Sequence, residues 1–302
     1  MPFPDRNDIQ KFPVHKRNIF GTFFAVVTDT GCSWNDVMNS PRYYNDTNGM
    51  NLTFPPPRLL LACCVILGLF LPIMARAEQA RIAIAANFIG PSKELIADFM
   101  HKTGDVIIPS FGSSGQFMIQ IEQGADYDVF LSADEAKPAK LLRDGFGVDK
   151  SQFTYAIGKL ALWSNTPAYP ANENTLRAAR YSHLALCKPD IAPYGAAAVA
   201  TLAQLHLEQS LQSRIVMGMD IAQAYQFVQS GNAELGFIAL SQLHNQPSGT
   251  VWVVPSTLYP PIRQNALLLR QGEQNPAARA FLAYLRSKPA QAIIASYGYD
   301  VP

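Results

Sequence analysis

Apolar and polar positions follow two rhythms along residues 78–302. Short continuous apolar runs, the mark of strands buried on both faces, alternate with longer stretches whose apolar residues recur every three or four positions, the mark of amphipathic helices. "RIAIAAN" (81–87) predicts a strand, and Gly90-Pro91 opens a helix that runs through "SKELIADFMHKTG" to Gly104. Proline suits a first helical turn and glycine a helix end. "DVIIPSF" (105–111) is the next strand, "SGQFMIQIEQG" (114–124) the next helix, and "YDVFLSA" (127–133) a third strand. Asp134 then reads as the N-cap of "EAKPAKLLRDG", whose Pro138 limits its regularity. Further strands are predicted at 159–164, 233–240, 250–255 and 264–270, with a strand and loop over 183–190. Helices are predicted at 195–207 and 221–231, with two more in the C-terminal stretch from Asn275. Strands alternating with helices predict an α/β fold built on mostly parallel sheet covered on both faces.

The first 77 residues do not share this pattern. Residues 59–75, "LLLACCVILGLFLPIMA", form an uncharged apolar run preceded by Arg58 and followed by Ala75-Arg76-Ala77. A basic flank, an apolar centre and small residues at a cleavage site make a signal peptide, and the run is short for a membrane span. Met50 begins an ordinary signal sequence, so 50–77 is expected to be a signal peptide cleaved near Ala77. Residues 1–49, polar and without apolar periodicity, are expected to be a mis-assigned or disordered extension. The processed chain, Glu78 to Pro302, would reach the periplasm.

Charge and cysteine narrow the function. From Glu78 onward 17 Lys and Arg face 18 Asp and Glu, a net charge of about −1. That balance lacks the basic field a nucleic acid needs. Cys187 is the sole cysteine of this part, so no internal disulfide is available and the fold must rest on its apolar core. His101, His183, His206 and His244 show no metal-ligand spacing, and there is no GxSxG, P-loop or dinucleotide fingerprint. Asp126 and Asp128 read as a turn rather than a catalytic pair, and Trp163 and Trp252 as core.

Four strand-to-helix junctions remain: "AANFIGPS" with Asn87, "SFGSSGQ" with Ser113 and Ser114, "IAPYGAA" with Tyr194 and Gly195, and "MGMDIAQ" with Asp220 and Ile221. Capping alone explains each one taken singly, because Ser, Asn and Asp are the usual N-caps. Together they offer first-turn N–H groups that suit an anion. The glycines around Ser113 and Ser114 would let a ligand approach the backbone. None of the four carries Lys or Arg. Such a site would hold a fully deprotonated oxyanion with neutral dipoles and offer no acceptor for a ligand proton.

The order of "AANF", "FGSSGQFMIQIEQGADYDVFLSAD", "PYGAAA" and "GFIALSQ", ending in "AFLAYLRSKPAQAIIASYGY", resembles the periplasmic molybdate-binding proteins of ABC importers across the whole of 78–302. The resemblance implies a two-lobed type II periplasmic binding protein fold with two crossover strands. Lobe one would hold about 78–157 and 259–302, and lobe two about 158–258. It implies molybdate or tungstate as ligand, the molybdenum entering only as the oxyanion, held by Asn87, Ser114, Tyr194 and Ile221. Tyr194 and Ile221 would act through backbone N–H. It further implies a monomer, no cofactor, no catalysis and a membrane permease as partner. Some members use a tyrosine hydroxyl where this chain has Ala239; the Tyr194 hydroxyl is a candidate replacement. The alternatives are another oxyanion such as sulfate, or a hydrolase or transferase with Ser114 as nucleophile.

Overall fold

The computed structural model describes residues 77–244 and 248–302. The expectations for 1–49 and for the signal segment fall outside the described residues. Among these residues no helix is long and apolar enough to cross a membrane.

The strands are β1 (Gln79–Ala85), β2 (Val106–Gly112), β3 (Val129–Leu131), β4 (Phe153–Gly158), β5 (Leu160–Ser164), β6 (Leu184–Cys187), β7 (Ile215–Gly218), β8 (Leu235–Ala239), β9 (Thr250–Val253) and β10 (Ile262–Leu268). The helices are α1 (Ile89–Thr103), α2 (Ser114–Glu122), α3 (Ala136–Arg143), α4 (Glu173–Ala178), α5 (Pro193–Gln204), α6 (Glu208–Leu211), α7 (Ile221–Gln229), α8 (Pro276–Leu285) and α9 (Lys288–Ser296). A short 3-10 turn, Ala86–Phe88, joins β1 to α1.

The strands form two five-stranded sheets, one per lobe, in the orders β2-β1-β3-β10-β4 and β7-β6-β8-β5-β9. The chain leaves the first sheet at Gly158, enters the second at Leu160, and returns to the first at Ile262. Within the first sheet β1 pairs in parallel with β2 and β3, while β10 runs antiparallel to β3 and β4. The second repeats this scheme: β6 is parallel to β7 and β8, and β5 is antiparallel to β8 and β9. The sheets are therefore mixed rather than mostly parallel, because each lobe takes in a strand that arrives from the other lobe.

Period-two alternation in the first sheet sorts its side chains onto two buried faces. Ala83, Phe130 and Leu267 pack with Phe117 and Leu141 on one face. Ile82, Ile84, Val129, Leu131, Ala266 and Leu268 pack with Phe99 and Phe281 on the other. In the second sheet β5, β6 and β8 are buried along their whole length around a core that includes Trp163. Trp163 stacks on Tyr225 with ring centroids 4.9 Å apart, which places it in the core as expected. Asp128 accepts from the Arg81 N–H at 2.7 Å and Asp126 pairs with the Arg81 side chain, so both carboxylates hold a turn.

Candidate functional site

One cavity lies between the lobes and is lined from both. Ala85, Ala86, Asn87, Gly112, Ser113, Ser114 and Ala133 face it from the first lobe; Ala192, Pro193, Tyr194, Asp220 and Ile221 face it from the second. All four sequence-predicted ligand residues thus meet at one place, with no Lys, Arg or His in the lining. The cavity volume is about 10 Å³. That is about the room a single water needs, too little for an organic ligand.

Local capping decides which donors remain free. Ser113 is the N-cap of α2: its hydroxyl accepts from Gln116 N–H, and Gln116 Oε1 reaches back to Ser113 N–H in a capping box. Gly115 N–H donates to Ile191 O at 2.8 Å and Phe117 N–H to Ser113 O. The Ser114 N–H is left without a protein acceptor among the described residues. The Ser114 hydroxyl oxygen accepts from Ala133 N–H at 2.9 Å, so its own proton is free to donate.

The other two helix starts work the same way. In α5 Pro193 has no N–H, and Gly195 and Ala196 N–H both donate to Ala192 O, which leaves Tyr194 N–H. In α7 Asp220 caps Gln223 N–H at 2.9 Å and its carbonyl takes Ala224 N–H, leaving Ile221 N–H at the cavity. Asp220 is therefore a cap, with Oδ1 of its carboxylate engaged by its own helix. Four backbone N–H groups, those of Asn87, Ser114, Tyr194 and Ile221, have no protein acceptor among the described residues.

The side chains of Asn87 and Tyr194 do a different job. Asn87 Nδ2 donates to Gln264 Oε1 at 2.8 Å and to Tyr299 OH at 2.9 Å, so neither amide proton is left for a ligand. Gln264 Oε1 also accepts from Tyr155 OH, and Gln264 Nε2 donates to Tyr194 OH at 3.1 Å. The hydroxyl that was a candidate replacement at Ala239 is thus engaged by Gln264. Tyr299 OH further lies 2.9 Å from Asn87 O and from Ser241 Oγ. This uncharged network ties the first lobe (Asn87, Tyr155, Gln264, Tyr299) to the second (Tyr194, Ser241). It fixes the backbone at two of the four free N–H groups.

The family model for bacterial extracellular solute-binding proteins matches residues 80–300. The chain belongs to that family. A curated solute-binding relative, the molybdate-binding protein ModA of Azotobacter vinelandii, is 46% identical over 231 residues, covering 75% of this chain and 92% of the relative. ModA of Rhodobacter capsulatus is 44% identical over 238 residues, covering 79% and 94%. Among solved structures, the Azotobacter vinelandii periplasmic molybdate-binding protein superposes with a TM-score of 0.71 at 39% identity, covering 74% of this chain and 99% of that one. The two-lobed α/β architecture expected from the sequence is the one this solute-binding protein has.

Burial pushes the hydroxyls of Tyr155 and Tyr194 well above the usual 10.0, and that of Tyr299 above it as well. Burial also pushes the Cys187 thiol from 9.0 to about 12. Unfolding releases these groups to their ordinary values, so above those values the unfolded chain binds fewer protons than the folded one. Their contribution to stability is complete below pH 9 and is lost progressively as pH rises from 9–10 toward the raised folded values, about 12 for Cys187. Melting temperature is expected to hold from pH 7 to 8.5 and to fall steeply by pH 10.5. Tyrosinate absorbance from this cluster should then appear with unfolding and not before it.

Proposed function

We propose that this solute-binding protein captures molybdate, and tungstate with it, in the periplasm and presents it as a monomer to the permease of an ABC importer, without chemical change. One observation carries the reading: four backbone N–H groups and one hydroxyl proton, all unclaimed, converge from two lobes on a small cavity with no cation. Helix N-termini favour negative charge, and charge-assisted hydrogen bonds are the strong ones. The molybdate-binding relatives at 46% and 44% identity support molybdate in particular.

The four free N–H groups and the Ser114 hydroxyl are donors, and the one carboxylate in the lining, Asp220, has its Oδ1 engaged as a cap. A phosphate that keeps a proton at neutral pH leaves that proton unpaired wherever it faces these donors, at a cost of about 1–3 kcal/mol. Isothermal titration with molybdate, tungstate, sulfate and phosphate should rank the first two together and tightest, sulfate weaker and phosphate weakest. Sulfate binding more tightly than molybdate would replace this reading with a sulfate carrier. The lining holds no His or Lys to activate a nucleophilic Ser114, and its one carboxylate, Asp220, caps α7.

A further inference from the structure

Gly115 is the second residue of α2, inside a regular helix whose geometry does not ask for glycine. Alanine is the better helix residue there. The reason for glycine lies across the cleft. Its N–H donates to Ile191 O at 2.8 Å, and Ile191 belongs to the second lobe, in the loop between β6 and α5. A Cβ at position 115 would stand 2.7 Å from Ile191 Cα, 2.8 Å from Ile191 Cβ and 3.0 Å from Ile191 Cγ2. The first of these is backbone, which cannot swing aside as the end of a long side chain would.

We propose that Gly115 and Ile191 form the stop on which the two lobes close, and that this backbone contact sets the size of the anion cavity and so which oxyanion it holds. Ser114, next to Gly115, gives the cavity its hydroxyl, while Ala192, next to Ile191, begins the Ala192-Pro193-Tyr194 wall opposite. Seating residue 115 on residue 191 therefore fixes the span between the Ser114 donors and the Tyr194 N–H. A contact of main chain on main chain does not adapt to its guest. A smaller ion cannot draw the lobes closer, so some of its hydrogen bonds stay long; a larger one holds the lobes off their stop. Neither the glycine spacing nor the capping of α2 requires this contact, and it is distinct from the donors themselves.

The inference rests on the cavity being an oxyanion site. It is tested on the full chain with Gly115→Ala, by titration with molybdate and sulfate, by solution X-ray scattering with and without molybdate, and by melting of the ligand-free protein. The ligand-free variant is expected to melt at or above the wild-type temperature, because in separated lobes the methyl faces an open cleft and favours the helix. Molybdate affinity is expected to fall ~10-fold or more, since a ligand that needs the closed state loses whatever closure loses. Sulfate, the smaller ion, should lose at least as large a factor, and the contraction on adding molybdate should shrink. Wild-type affinity or full contraction in the variant would overturn the stop while leaving the oxyanion reading intact, as would sulfate gaining on molybdate. A ligand-free melting temperature lowered in step with affinity would move Gly115 from closure into the fold and overturn it too. A wild-type chain that binds no oxyanion would overturn both.

Discussion

Ser114→Ala is expected to weaken molybdate binding by ~10- to 100-fold and, separately, to lower the melting temperature of the ligand-free protein. The two losses have different origins. In the wild type the Ser114 oxygen is oriented by Ala133 N–H at 2.9 Å, and this frees the hydroxyl proton for the anion. A hydrogen bond to a charged group contributes about 1.5–3 kcal/mol, which sets the loss of affinity. Alanine also leaves the buried Ala133 N–H without its acceptor, at about 1–3 kcal/mol. That second cost is present with and without ligand, so it cancels from binding and appears in stability. At roughly 2–4 °C per kcal/mol for a domain of this size, it should lower the melting temperature by several degrees. Titration calorimetry and thermal unfolding read the two effects independently. An unchanged affinity would mean that the hydroxyl does not face the ligand. The neighbouring Ser113→Ala would act through the α2 cap instead, since the Ser113 hydroxyl accepts from Gln116 N–H.

That two adjacent serines have separate tasks marks where sequence reading stops. The four junctions were legible because capping residues, glycines and the ends of apolar runs are local signals. Which serine caps depends on a helix register one residue wide, and composition does not carry it. β4 (Phe153–Gly158) has no counterpart among the predicted strands: only Lys159 separates it from β5, and no turn signal marks the passage from one sheet to the other. The network behind the cavity has no local signature at all: Asn87 meets Gln264 and Tyr299 from 177 and 212 positions away. Asn87 and Tyr194 line the cavity, while their side-chain polar groups are engaged with Gln264 and Tyr299, partners no local pattern reveals. Gly115 was read as room for a ligand, and it is room for Ile191.

Gly195→Ala is expected to be the more damaging of two chemically identical changes. Gly195 is the third residue of α5, and a Cβ there would stand 2.1 Å from the Cys187 carbonyl oxygen, 2.9 Å from Cys187 C and 3.0 Å from Lys188 C. All three are backbone atoms at the end of β6, within the same lobe, so the clash persists whether the cleft is open or shut. Overpacking of this kind typically costs about 1–3 kcal/mol, and contact with main chain puts it at the upper end. About 3 kcal/mol corresponds to roughly 6–12 °C in melting temperature. To make room α5 must lift from β6, and it would carry Tyr194 with it. The Tyr194 N–H then leaves the cavity and the Tyr194 hydroxyl leaves Gln264, so molybdate affinity should fall by more than ~10-fold, the cost of misplacing one charge-assisted donor. Gly115→Ala makes the equivalent change in α2 against a wall in the other lobe, so it should spare the ligand-free fold and strike only the closed form. Thermal melting of the two variants side by side distinguishes a glycine that lets a lobe pack from one that lets two lobes meet. A Gly195→Ala protein that melts with the wild type would show that α5 does not depend on its close seat against β6.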